Sequence, residues 1–131
     1  MGLTPVYDAA GNRDNEANGY GLPNRKEIML ALATSTDSTQ NLLASLNMAT
    51  GPVKPNEFKS RPDHIEHLIG NVWEWNDESV ADSARLILGG AYSTPPKFAG
   101  NLPEFCYKPD FSSPTIGFRC VLPAKTLLET P

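Results

Sequence analysis

Thiol and imidazole chemistry has little to work with in this chain. It holds two cysteines, Cys106 and Cys120, and two histidines, His64 and His67. No Cys-x-x-Cys occurs, which excludes zinc-ribbon and thioredoxin-type sites. Two cysteines do not make a disulfide framework, and spacing alone leaves open whether they are bridged. Lys and Arg total 11 against 15 Asp and Glu, a net charge of −4 without a basic cluster, which argues against a nucleic-acid partner. No apolar run approaches the roughly 20 residues of a membrane helix. The first residues lack the basic and apolar regions of a signal peptide. The expectation is a soluble chain, its localisation otherwise open and compatible with a cell or virion surface. No phosphate loop or serine–histidine–carboxylate spacing is present, and Gly89-Gly90 is not followed by a dinucleotide-type helix start.

What is present points to one loop-rich domain spanning residues 1–131, long enough to bury its own core. Twelve prolines and ten glycines imply much irregular backbone. A short strand is expected near Pro5–Asp8, followed by a hairpin or loop. Asn24 then provides a helix N-cap, and Glu27 completes a capping box. Ile28 and Leu32, with Leu30 and Ala31 as further candidates, form a stripe of helical period up to Thr34. A second helix is expected over roughly 38–47, with Leu42, Leu43 and Leu46 on one face. Residues 48–63 read as loop, as does the acidic Asn76–Ala84. Arg85–Leu88 reads as a buried strand before Gly89-Gly90, and Ile116–Leu122 as a closing strand.

The chain is organised around Gly70-Asn71-Val72-Trp73-Glu74-Trp75, which contains its only two tryptophans. In a strand, Trp73 and Trp75 share one face and Glu74 points to the other. Indole rings bury about 150–250 Å² each, so the pair is expected to anchor the core. Glu74 needs a cation, an arginine or several N–H donors between such bulky neighbours.

This hexapeptide resembles the signature of the formylglycine-generating enzyme / sulfatase-modifying-factor superfamily. Three more segments resemble it in the same order. Gly19-Tyr20-Gly21-Leu22-Pro23-Asn24-Arg25-Lys26-Glu27 is similar to the start of that family's first helix. Leu86–Tyr92 is similar to its Gly-Gly strand, with the flanking Arg and Trp replaced, and Ile116–Val121 to its closing Gly-Phe-Arg-Cys strand. The matches cover about residues 19–121. The resemblance implies an α+β, C-type-lectin-like fold with two helices and short strands, in which Trp73, Trp75, Gly89, Gly90, Phe118 and Arg119 hold the scaffold.

The resemblance also frames the chemistry. Its oxidases use a copper-binding cysteine pair, for which this chain offers only Cys106; a lone thiol cannot make the two-thiolate site that copper(I) favours. Its iron-dependent members need a histidine-rich domain that His64 and His67 do not replace. Calcium is implied at the carbonyls of Gly70 and Val72 and the carboxylate of Glu74, with His67 where a further oxygen ligand is expected. A Glu74 held by Arg119 or by backbone N–H groups is the competing expectation.

The positive functional signal lies in residues 92–113. Tyr92, Phe98, Phe105, Tyr107 and Phe111 are interleaved with polar residues, a composition used at recognition surfaces. Some of these rings are expected to plug the core instead. Residues expected to face a ligand are Tyr92, Lys97, Phe98, Asn101, Glu104, Phe105, Tyr107 and Asp110. The arrangement resembles the variable proteins of diversity-generating retroelements, which implies a non-catalytic domain whose partner is a protein or cell-surface ligand, with no cofactor unless calcium. An oxidase, or a fragment of one, is the alternative. A structural module of a surface or virion assembly is the second.

Overall fold

The first helix begins where its side chains make it begin. In the computed structural model, which describes residues 2–34, 51–52, 65, 67–81, 83–95 and 102–123, helix α1 spans Arg25–Thr34. Asn24 Oδ1 accepts from the Glu27 N–H at 2.8 Å, and Glu27 Oε1 accepts from the Asn24 N–H at 3.2 Å. This is the reciprocal capping box, which pairs backbone donors that a helix start otherwise leaves open. Ile28 is buried against Leu68, Leu86 and Leu88, with Ala31, Leu32 and Leu102 packed alongside. Leu30 turns outward at 65% exposure, so the apolar stripe runs through Ala31 instead. The expected second helix, over roughly 38–47, lies outside the described residues.

Among the described residues, four strands form one sheet: β1 Trp73–Ala81, β2 Ala84–Leu88, β3 Glu104–Tyr107 and β4 Ile116–Gly117, in the order β3-β2-β1-β4. β1, β2 and β3 pair antiparallel, and β4 joins β1 in parallel. Two of these strands depart from the sequence expectation. The acidic stretch from Asn76 is not a loop, because β1 continues through it to Ala81 and turns back at the Ala81–Ala84 pair. Residues Glu104–Tyr107 form an edge strand inside the aromatic stretch 92–113, for which the sequence carries no strand expectation. Two expected strands shrink. The closing strand is Ile116–Gly117, with Val121 then making an isolated bridge to Gly21; at the N-terminal end only the Tyr7–Arg13 bridge forms.

The register assigns the two faces. Leu86 lies opposite Cys106, and Leu88 opposite both Glu74 and Glu104, on the face packed against α1. Ile87 lies between Trp75 and Phe105, and Arg85 opposite Tyr107, on the other face. Trp73 and Trp75 thus share a face as expected, but they are half-buried and lie away from the cluster packed on α1. Between Trp75 and Ser79 the β1 chain advances four positions while β2 goes only from Ile87 to Arg85, so β1 bulges here.

The N-terminal segment is bolted to this bulge. Tyr7 Oη donates to Asp77 Oδ1 at 2.9 Å and accepts the Leu22 N–H at 2.9 Å. Arg13 Nη1 pairs with Asp77 Oδ2 and also donates to the Leu22 carbonyl at 3.2 Å. Burial is the largest influence on the Tyr7 hydroxyl and lifts its pKa above the ordinary tyrosine value. Gly89 closes the inner side. Its φ is +98°, and a Cβ there would stand 3.0 Å from the Leu68 carbonyl oxygen. The Gly89 carbonyl accepts from the Gly70 N–H at 2.7 Å, which ties the turn before β1 to the end of β2.

Candidate functional site

The outer face carries the exposed aromatic residues. Phe105 and Tyr107 are two apart on β3 and project to one side, at 57% and 37% exposure. Their ring centroids are 5.2 Å apart with a 49° tilt, and Tyr107 stacks on Phe111 at 4.3 Å and 12°. Phe111 is itself 42% exposed. Aromatic pairs in these geometries add about 0.5–1.5 kcal/mol beyond their buried area. The three rings therefore hold one another in place while leaving their surface open. A preformed aromatic surface loses little side-chain entropy on binding, the property that recognition surfaces exploit.

The other residues expected at a ligand face divide. Asp110 is exposed beside the stack. Tyr92 is half-buried, and its N–H donates to the Asn71 carbonyl at 2.8 Å. Glu104 sits on the opposite side of β3 from Phe105 and pairs with Arg25 of α1 at 3.0 Å. Lys97, Phe98 and Asn101 lie outside the described residues. Phe118, expected to hold the scaffold, is instead 69% exposed. Its position is set by the pairing of Gly117 with Glu74, which directs the following residue to the outer side.

Arg119 points inward. Its Nε donates to Glu74 Oε2 at 2.5 Å, its Nη2 to Glu74 Oε1 at 2.7 Å, and the same Nη2 to the His67 carbonyl at 3.0 Å. Glu74 is thus a carboxylate on the core face matched by a two-pronged guanidinium, the geometry that best offsets its desolvation. A calcium ion at Glu74 would lie beside that guanidinium, with both carboxylate oxygens already engaged. Cys106 and Cys120 are both free thiols, one half-buried and one exposed. Among the described residues, no group of three His, Cys, Asp or Glu side chains converges as metal ligands. Among them too, no helix is long and apolar enough to cross a membrane.

Comparison with known proteins bears on the family and the fold. Residues 9–124 match the family described as sulfatase-modifying factor enzyme 1-like domain. No curated protein sequence matches the chain. Among solved structures, Treponema denticola variable protein 1 superposes with a TM-score of 0.64 at 19% identity, over 88% of this chain and 53% of that one. A structure described as the crystal structure of CarF gives a TM-score of 0.60 at 22% identity, over 88% of this chain and 52% of that one. Likeness at these identities establishes a shared fold, the C-type-lectin-like α+β arrangement that the motifs implied. The chain spans about half the length of each of these two structures.

Proposed function

This chain belongs to the sulfatase-modifying factor enzyme 1-like domain family, and from that premise we propose that it is a non-catalytic binding domain of the variable-protein kind. Its recognition surface is the aromatic and polar stretch of about residues 92–113, and its partner is a protein or cell-surface ligand. The observation that carries the reading is the exposed Phe105–Tyr107–Phe111 stack on an edge strand. A stack of this kind left in water leaves most of its apolar surface unburied, whereas a partner buries it at little ordering cost. The likeness in fold to Treponema denticola variable protein 1 supports the same reading.

The test uses a triple variant, Phe105→Ala, Tyr107→Ala and Phe111→Ala, beside the wild type. Both are cross-linked to surface extracts of the source cells, and the captured species identified by mass spectrometry. Cross-links from residues 92–113 to one species, lost in the triple variant while its circular dichroism stays native, support the reading. Unchanged capture by the triple variant overturns it. The oxidase alternative has its own readout. Oxidation of a cysteine-containing peptide by the copper-loaded wild type, absent in Cys106→Ser, would replace the binding reading with a catalytic one.

A further inference from the structure

Beside the aromatic stack, a cleft of about 300 Å³ opens at the bulge of β1. Of the described residues among 92–113, only Pro109 lines it. Its volume is at the lower end for ligand pockets and suits one residue-sized group. Trp75 and Phe118 supply aromatic walls; Tyr7 and Asp77 close one part with their mutual hydrogen bond. Because the bulge interrupts strand alternation, the consecutive residues Trp75, Asn76 and Asp77 all line the same cleft.

Two of its lining side chains have unmet hydrogen-bonding capacity. Arg85 is half-buried and, among the described residues, makes no ion pair, in a chain whose net charge is −4. The other lining charge, Asp77, is already matched by Arg13. Asn76 is only 1% exposed, and among the described residues neither its Oδ1 nor its Nδ2 has a hydrogen-bond partner. Sealing an amide without partners destabilises a fold, and a structure retains such a group where something else pairs with it. An open guanidinium asks for a carboxylate, which it holds with two parallel hydrogen bonds. An unpartnered amide asks for an adjacent donor and acceptor, as a peptide group has. Aromatic walls ask for an apolar or aromatic body.

We propose that this cleft binds the C-terminal residue of a protein or peptide: Arg85 takes the terminal carboxylate, Asn76 pairs with the last peptide group, and Trp75 and Phe118 clasp an aromatic side chain. The carboxylate, the amide and the ring are each matched by a different lining residue, so each can be removed from the ligand separately.

The full chain is titrated with N-acetyl-Ala-Ala-Phe, followed by two-dimensional amide and indole NMR and by calorimetry. The peptide is expected to shift the Trp75 indole signal and saturate. Its C-terminal carboxamide, and 3-phenylpropanoate, which keeps ring and carboxylate but lacks the amide, are each expected to bind at least tenfold more weakly. Equal binding of the carboxamide removes Arg85 from the proposal and overturns it. Equal binding of 3-phenylpropanoate overturns the peptide assignment in favour of a free aromatic acid. Arg85→Met and Phe118→Ala should each weaken the peptide at least tenfold; Phe118 is exposed enough that its variant keeps the fold. Asn76→Leu separates recognition from folding: the melting temperature should rise while peptide affinity falls tenfold or more. A rise in melting temperature with affinity unchanged would exclude Asn76 from the site.

Discussion

The two faces of the sheet spend their large side chains in opposite ways. Against α1, Leu86 and Leu88 are buried with Ile28 and Leu68, and the carboxylates placed there are matched, Glu74 by Arg119 and Glu104 by Arg25. On the outer face the bulkiest residues are left half-buried or open, while the smaller Ile87 between Trp75 and Phe105 is fully covered. A fold stabilised by aromatic burial would show the reverse. The inner face therefore carries the stability, and the outer face carries surface that an isolated domain does not need.

That division can be broken by substitution, and the costs should follow it. Leu88→Ala deletes buried methyl groups beside α1 and is expected to cost about 2–5 kcal/mol by denaturant unfolding. A cost near zero would mean that the inner face is not the core. Arg119→Met leaves Glu74 on the core face without its guanidinium and should cost about 3 kcal/mol, much of it regained in the double variant with Glu74→Gln. Additive losses in that cycle would show that the two side chains do not act as a pair.

Tyr7→Phe removes the hydroxyl shared by Asp77 and the Leu22 N–H, for an expected loss of about 1–2 kcal/mol. It also changes the alkaline limb of stability. The folded Tyr7 pKa lies above the unfolded one, so its contribution is complete below about pH 10 and lost as pH rises through the folded value. Stability measured from pH 9 upward should fall less steeply in the Phe variant. Identical slopes would mean that Tyr7 is not buried in its hydrogen-bonded position. The smallest effect should come from the outer face. Phe105→Ser removes a large ring yet should cost only about 0.5–1.5 kcal/mol, the share of its pair with Tyr107, because that ring is mostly exposed. A loss comparable to that of Leu88→Ala would show that the aromatic stack is structural and would remove the basis for a binding surface.

The helix start was legible because everything that makes it is local. Asn24 and Glu27 are three apart, and their reciprocal hydrogen bonds need nothing from the rest of the chain. The Gly89 turn was legible for a similar reason, since tandem glycines announce backbone that side chains cannot adopt. The second half of β1 was not. Its residues from Ser79 to Ala81 are exposed, and the bulge cancels the period of two by which a strand is recognised. β3 was hidden in a proline- and aromatic-rich stretch, with its large rings facing outward. The tryptophans misled for a related reason: their spacing correctly placed them on one face, but only the packing of α1 decides which face is the inside. The cleft was illegible altogether, because Tyr7, Asn76, Arg85 and Phe118 come from four separate stretches.

The Gly21–Val121 bridge has a kinetic consequence. Each residue donates its N–H to the other's carbonyl, at 2.9 and 2.7 Å. Positions 21 and 121 therefore meet only once the whole segment between them is available. Such dependence on distant pairings slows folding toward the millisecond-to-second range typical of non-local topologies. During synthesis the capped helix can flicker into existence early, but the bridge must wait for Val121 to leave the ribosome. Until then the aromatic stretch is exposed without the completed fold behind it, and this nascent state is vulnerable to aggregation.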